Sequence, residues 1–355
     1  MPSFHQIPAE IVLHISSQVP LGTKAALLRT CRRNFDLLID VIYRDISVDG
    51  LQARLFSIAL LIARFFDYTS IIRSFRFKGY YMSDVYLTYP LLIDAICHMK
   101  QLRTLNLNIP FSHVAYFDTL MEKKGLVRQS NSTFARINEM ASERGAVSHL
   151  TLPHLETLAV CGSCVLVKLA RHRSLKTLVI YNRVDVAEFA RISDMVQLEL
   201  LSRIELALAV SGHTELSLIM FGLSDACPRL EHLTITSIRF NALKISEMIS
   251  RKPPTFPNLR QLIMRGAYGN APLFKTPKHR CYLLQRDHIN RARRILINLR
   301  EVWFGKVDWR GDHDTIWRSP YFELENDDDI LIPSPEEEVV FSCLFYEEKK
   351  KEGDQ

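Results

Sequence analysis

The sequence predicts a mixed α+β and α/β chain in three parts. These are a small three-helix module over residues 1–48, an irregular α/β repeat array over 49–320, and an acidic segment over 321–355. Three observations carry this. Apolar residues recur at helical spacing through the first part. A short fragment with apolar residues at its first, fourth and sixth positions then returns eight times. Finally, charge separates: residues 322–355 hold twelve acids and three bases, a net −9, so the overall +6 leaves +15 on the other 321. With 47% hydrophobic and 10% aromatic residues the chain can bury a large core, and 13 Gly excludes a collagen-like one.

The first element opens at Ile7-Pro8-Ala9-Glu10, with Ile7, Ile11 and Ile15 on one face at spacing four. Proline suits a helix start and Glu10 the positive end of the dipole. Pro20 and Gly22 punctuate its end. Thr23 is placed to cap a second helix carrying Ala26, Leu27, Thr30 and Cys31. A third helical run, Phe35, Leu38, Ile39 and Ile42, continues to Tyr43-Arg44.

Three stretches in this module carry a resemblance. Ile7-Pro8-Ala9-Glu10-Ile11, then Leu28-Arg29-Thr30-Cys31-Arg32-Arg33-Asn34-Phe35, then Val41-Ile42-Tyr43-Arg44-Asp45-Ile46, resemble an F-box in order and spacing. The chain departs from that pattern in Ile7, which stands for the usual Leu, and in Asn34 just before the aromatic Phe35. Gly22-Thr23-Lys24-Ala25 also replaces the more acidic start of the second helix. The resemblance implies binding of the Skp linker protein, which joins such modules to the cullin scaffold of an SCF ubiquitin ligase. The matching apolar positions are Ile7, Pro8, Ile11, Ile15, Leu28, Cys31 and Phe35.

The repeated fragment starts at Ile72, Leu102, Leu155, Leu175, Leu201, Leu230, Leu259 and Leu299, with intervals of 30, 53, 20, 26, 29, 29 and 40 residues. The middle intervals fall in the range of about 20–29 residues of leucine-rich repeats. Pro153, Pro228 and Pro257 each stand two residues before a fragment, where a missing N–H is tolerated at a strand's start. Each fragment reads as a short strand, and helical periodicity between strands (Val186, Phe189, Ala190, Ile192; Leu243, Ile245, Met248, Ile249) supplies returning helices. The whole resembles the degenerate leucine-rich repeats attached to F-boxes, especially the irregular fungal ones. The asparagine that follows the strand in regular repeats is mostly missing, with Asn108 and Asn182 the near candidates. An ordinary α/β domain is the alternative.

The long intervals hold a polar stretch at 123–145, a surface loop at 275–280 and a basic helix at 287–300. That helix carries Arg291, Arg293, Arg294 and Arg300 opposite Ile289, Ile295, Leu296 and Leu299, so it reads as a repeat helix with a solvated basic face. Basic residues are spread rather than clustered, so nucleic acid is not the expected partner. In the acidic segment Ser334-Pro335 precedes Glu336-Glu337-Glu338, a candidate phosphorylation site, and 339–345 is apolar enough to pack.

Motifs of catalysis are missing: no phosphate-binding glycine loop, no G-x-S-x-G and no H-E-x-x-H. Cys161-Gly162-Ser163-Cys164 has the spacing of a redox or zinc half-site without a second pair, and Asp312-His313-Asp314 offers adjacent ligands only. The expectation is no cofactor, no metal and no catalytic residue. Seven scattered cysteines and no signal peptide point to reduced thiols in the cytoplasm, the nucleus or both. The most apolar run, 55–63, is bracketed by Arg54 and Arg64, too short for a membrane span of about 20 residues.

The intervening residues of the repeat strands form an outward ladder. Arg76, Asn106, Asn108, Tyr181, Glu205, Thr234, Arg265 and Trp303 are its candidate substrate-binding residues. These expectations combine into an adaptor that captures a protein substrate for ubiquitination without catalysing anything itself. The alternative is a repeat-based interaction scaffold with no ubiquitin role.

Overall fold

The computed structural model describes residues 7–63, 66–79, 84–127, 151–237, 245–246, 255–266, 278–294, 296–304, 307–311 and 317–318, excepting the side chains of 51, 278–284 and 317–318. The chain is a mixed α/β protein with mostly parallel strands, and it divides into two compact units, Met1–Leu155 and Glu156–Gln355.

The first unit opens with α1 (Ala9–Gln18), α2 (Leu21–Leu28) and α3 (Arg32–Tyr43). Here the helical pattern misleads at two points. Helix α1 buries Val12 and Ser16 rather than the Ile7–Ile11–Ile15 stripe, because the face one residue further round packs toward α3. The Ser16 hydroxyl is satisfied by the Leu13 carbonyl at 2.7 Å, so its burial leaves no orphan donor. Helix α2 starts directly after Pro20, whose fixed φ of −58° is compatible with a helix entry, so Gly22 lies inside and Thr23 caps nothing. Thr30 and Cys31 fall in the next turn. There the Thr30 hydroxyl donates to the Leu27 carbonyl (2.6 Å) and accepts from the Asn34 amide (2.9 Å). Asn34, a departure from the family pattern, is thus a buried and satisfied tie between α2 and α3.

From α3 the chain runs into strand β1 (Asp45–Asp49), then α4 (Gly50–Ile62), β2 (Ser74–Lys78), α5 (Val85–His98), β3 (Thr104–Asn108) and α6 (Val114–Lys123). The three strands pair in parallel with Asp45, Ser74 and Thr104 aligned. The apolar run at 55–63 lies in α4 as far as Ile62, and the helix buries only one side. Ala53, Ser57 and Leu60 face inward at spacing four and three, while Leu55 and Ile62 are exposed. Pro90 interrupts α5 and removes the amide that would reach the Tyr86 carbonyl. The Tyr116 hydroxyl of α6 lies 3.5 Å from that carbonyl, and the two tyrosine rings pack with centroids 4.9 Å apart.

The second unit carries β4 (Thr157–Cys161), β5 (Thr177–Val184), β6 (Arg203–Leu208), β7 (His232–Ser237), β8 (Gln261–Gly266) and β9 (Glu301–Phe304), paired in parallel in that order. Strands β10 (Val307–Gly311) and β11 (Trp317–Arg318) then reverse to antiparallel. Its helices among the described residues include α7 (Val186–Met195), α8 (His213–Ala226) and α9 (Lys278–Arg293). Helix α9 begins and ends earlier than the basic periodicity predicts. Leu296 and Leu299 are buried, but in the turn that leads into β9. Trp309 of β10 is fully buried, and its indole nitrogen donates to Gln285 of α9 at 2.7 Å.

All eight repeated fragments form strands, β2 to β9. Every one of their first, fourth and sixth residues is buried, from Ile72, Phe75 and Phe77 through Leu299, Val302 and Phe304. The connections between strands share one hydrogen-bond device. In the seven parallel pairs among the described residues, the carbonyl just before the leading strand accepts two successive amides from the next repeat. Arg73 and Ser74 donate to Arg44, Ser202 and Arg203 to Lys176, and Arg260 and Gln261 to Glu231, at 2.8 to 3.0 Å.

Candidate functional site

Two surfaces gather the predicted residues. The first lies on the three-helix module. Ile11 and Ile15 of α1 are 48% and 46% exposed, and Pro8 is exposed beside them. Ile7, Leu28, Cys31 and Phe35 are half-buried, with Phe35 edge-on to Phe66 at 5.6 Å. Leu21 at 64% and Val41 at 41% add exposed apolar area that the sequence did not single out. The start of α1 is tied down by Arg33 of α3, whose guanidinium donates to the Ile7 carbonyl at 2.5 Å. Ile11 and Ile15 therefore do not hold the module's own core, which rests on Val12, Leu38 and Ile39. Burying an exposed Ile against a partner is worth about 1.5–3 kcal/mol.

The second surface is the outward ladder, seen separately in each unit. In the first unit Arg76 is exposed and aligned with half-buried Asn106, and Lys78 is aligned with half-buried Asn108. In the second unit the aligned row reads Ala159, Val179, Glu205, Thr234, Ile263 and Trp303. Thr234 is buried, which leaves little of it for a partner to touch. Glu205 pairs with Arg265 across β7 at 3.4 Å. Tyr181 sits where the β5 register shifts between Ile180 and Arg183, off the regular row. Trp303 is half-buried with its indole nitrogen donating to Glu301 at 2.7 Å. Glu301 in turn accepts from Gln261 at 2.7 Å, and His232 lies 3.2 Å from the Gln261 oxygen. This polar chain, His232, Gln261 and Glu301, follows one aligned row that sequence reading missed. Its signal was present: each residue stands two places before a residue named in the ladder.

Burial bears on the chemistry of the cysteine pair. Cys161 and Cys164 are both buried and neither is in a disulfide, and burial, aided by the charges of Glu188 and Asp185, pushes the Cys164 thiol up to about 12. Asp312-His313-Asp314, Ser334 and the acidic segment lie outside the described residues, as does most of 123–145. Among the described residues no group of three His, Cys, Asp or Glu stands close enough to hold a metal ion. Among them too, no helix is long and apolar enough to cross a membrane. A cleft of about 330 Å³ beside Leu60, Phe66, Thr69 and His98 coincides with none of the predicted residues.

No protein-family model matches the chain, and no curated protein matches it. Among solved structures it is similar to a Bacteroides fragilis protein at 13% identity and a TM-score of 0.39. The likeness covers 69% of this chain and 62% of that one, so this chain spans less than two thirds of that protein's length.

Proposed function

We propose that the chain is a substrate-recognition adaptor of an SCF-type ubiquitin ligase. On this reading residues 7–46 form an F-box that binds the Skp linker, and strands β2 to β9 belong to degenerate leucine-rich repeats that capture a protein substrate. The observation that carries the reading is the exposure of Ile11 and Ile15. Two residues of the F-box-like motif stand on the surface of a folded helical module, beside exposed Leu21 and Val41, instead of filling its core. Apolar side chains left in water at the motif positions support a partner surface there. The adaptor performs no chemistry. It holds a substrate near a ubiquitin-carrying enzyme and raises the effective concentration of its lysines.

The test is co-purification of the full chain with the Skp linker, beside the variant Ile11→Asp/Ile15→Asp. Both side chains are outside the core, so the variant is expected to keep its circular dichroism spectrum and melting temperature. Binding by the wild type and loss of binding by the folded variant is the expected result. A folded wild type that does not bind the linker would overturn the adaptor reading and leave the repeat scaffold without a ubiquitin role.

A further inference from the structure

The row of residues immediately before the parallel strands differs between the two units. In the second unit it mixes acids and bases. Glu156, Lys176, Ser202, Glu231, Arg260 and Arg300 follow one another, with Glu156–Lys176 paired at 3.2 Å and Glu231–Arg260 at 3.7 Å. In the first unit the same row is Arg44, Arg73 and Arg103. Their alignment is fixed by the backbone: Arg73 and Ser74 donate to the Arg44 carbonyl at 2.9 and 3.0 Å, and Arg103 and Thr104 donate to the Arg73 carbonyl at 2.7 and 2.9 Å. Arg44 and Arg103 are exposed and Arg73 is half-buried, its guanidinium donating to the Ser70 carbonyl at 2.9 Å. Among the described residues none of the three forms an ion pair, although the unit pairs Arg54 with Asp84 and Lys124 with Asp94. Exposed Lys100, three residues before Arg103, adds a fourth cation to this edge.

Adjacent parallel strands lie about 4.8 Å apart, so the backbone sets three arginines side by side at the starts of β1, β2 and β3. Like charges at adjacent strand positions are destabilising. In the second unit the corresponding row relieves that repulsion with glutamates, whereas the row of the first unit holds no acid and, among the described residues, no ion pair. We infer that the Arg44–Arg73–Arg103 row is a docking edge for an anionic, extended protein segment, whose carboxylate or phosphoryl groups complete the charge balance. Guanidinium forks bind both oxyanions bidentately, and a row of them reads a run of negative charge rather than a single ion. A protein segment is favoured over nucleic acid because the neighbouring aromatics, Tyr43 and Tyr68, are half-buried and packed against each other at 4.7 Å, which leaves less ring face for base stacking. Arg44 closes the F-box-like motif, but the inference uses none of the apolar positions assigned to linker binding, so it is tested separately from the adaptor reading.

The experiment measures anisotropy of two labelled probes with the full chain at physiological ionic strength. One is a ten-residue glutamate peptide and the other a serine-rich peptide carrying two phosphoserines. The variant is Arg44→Ala/Arg103→Ala, and the control with the same charge loss is Arg203→Ala/Arg229→Ala, exposed positions of the second unit. At least one probe is expected to bind the wild type and raise its melting temperature. Affinity should fall roughly five- to tenfold in the first variant and stay unchanged in the control. Preference for one probe assigns the oxyanion. Equal loss in the control, no binding of either peptide, or tighter binding of a single-stranded oligonucleotide than of both peptides would each overturn the inference. If the alanine variant fails to fold, Arg44→Lys/Arg103→Lys decides. It keeps the charge and loses the fork, so an affinity drop of about twofold or more supports the row and an unchanged affinity sinks it.

Discussion

Asn258 donates its side-chain amide to the Pro228 carbonyl at 2.7 Å, and one repeat later Asn298 donates to the Pro257 carbonyl at 2.6 Å. Each asparagine precedes the first leucine of a repeated fragment, and each acceptor is a proline of the preceding lead-in. The pair therefore ties one repeat to the next outside the strand ladder. Both side chains are exposed, which places each bond at the modest end, about 0.5–1.5 kcal/mol. Asn258→Ala and Asn298→Ala should each lower the unfolding free energy by that amount, moving the urea midpoint down without changing the slope of the transition. No shift in either variant would mean that water replaces these ties at no cost.

Two glycines predict substitutions of opposite sign. A Cβ on Gly79, just after β2, would meet the Asn108 carbonyl oxygen at 2.7 Å and the Pro110 ring at 2.8 Å. The Gly79 amide also donates to that same carbonyl at 2.7 Å, so the backbone approach is itself a bonded contact. Gly79→Ala should cost about 1–3 kcal/mol through forced displacement. Gly22 lies inside α2 with nothing within 4 Å of its added Cβ, so Gly22→Ala should stabilise by about 0.5–1 kcal/mol. Thermal melts of the two variants should move in opposite directions.

The strands were readable and the helices less so, for a physical reason. A parallel strand buries its apolar residues against helices at a period of two, so the fragment from Ile72 or Leu230 signals its own core face directly. A ninth copy went unread. Tyr43, Ile46 and Val48 have the same spacing and lie 29 residues before Ile72, but Tyr43-Arg44-Asp45-Ile46 also fits the end of the helical motif. The structure uses Tyr43 to end α3 and 45–49 as strand β1. In α1 two apolar stripes were available, and Val12 with Ser16 won although Ser16 is polar, because its hydroxyl finds a partner within the helix. Of the candidate ladder, alignment was legible and accessibility was not. Thr234 is buried because flanking strands enclose it, which no spacing along one strand reports.

Helix α7 begins with a reciprocal cap. The Asp185 carboxylate accepts from the Glu188 amide at 2.8 Å, and the Glu188 carboxylate accepts from the Asp185 amide at 3.4 Å. The second bond is long, so most of the capping energy lies with Asp185. Asp185→Ala should cost about 1 kcal/mol and Glu188→Ala distinctly less. Comparison of their denaturation midpoints checks the order, and equal losses would mean that the two bonds carry equal weight despite their different lengths.

Buried Cys164 and Cys227 bear on how the fold responds to alkali. Burial, reinforced by Glu188 and Asp185 for Cys164 and by Glu199 for Cys227, pushes both thiols from 9.0 up to about 12. A thiol that stays protonated in the folded state while the unfolded chain ionises makes folding less favourable as pH rises. The native state then binds more protons than the unfolded one. Stability is therefore fully present below about pH 9 and declines as pH climbs through the folded value near 12. Cys164→Ala/Cys227→Ala should show a shallower loss of melting temperature from pH 9 upward than the wild type, beside whatever the two small cavities cost at pH 7. Alkylation gives an independent readout. At pH 8 iodoacetamide should modify half-buried Cys31 and Cys97 in the folded protein, and reach Cys164 and Cys227 only after denaturant is added. Rapid modification of Cys164 in the native protein would show an ionised, accessible thiolate and remove that alkaline response from this pair.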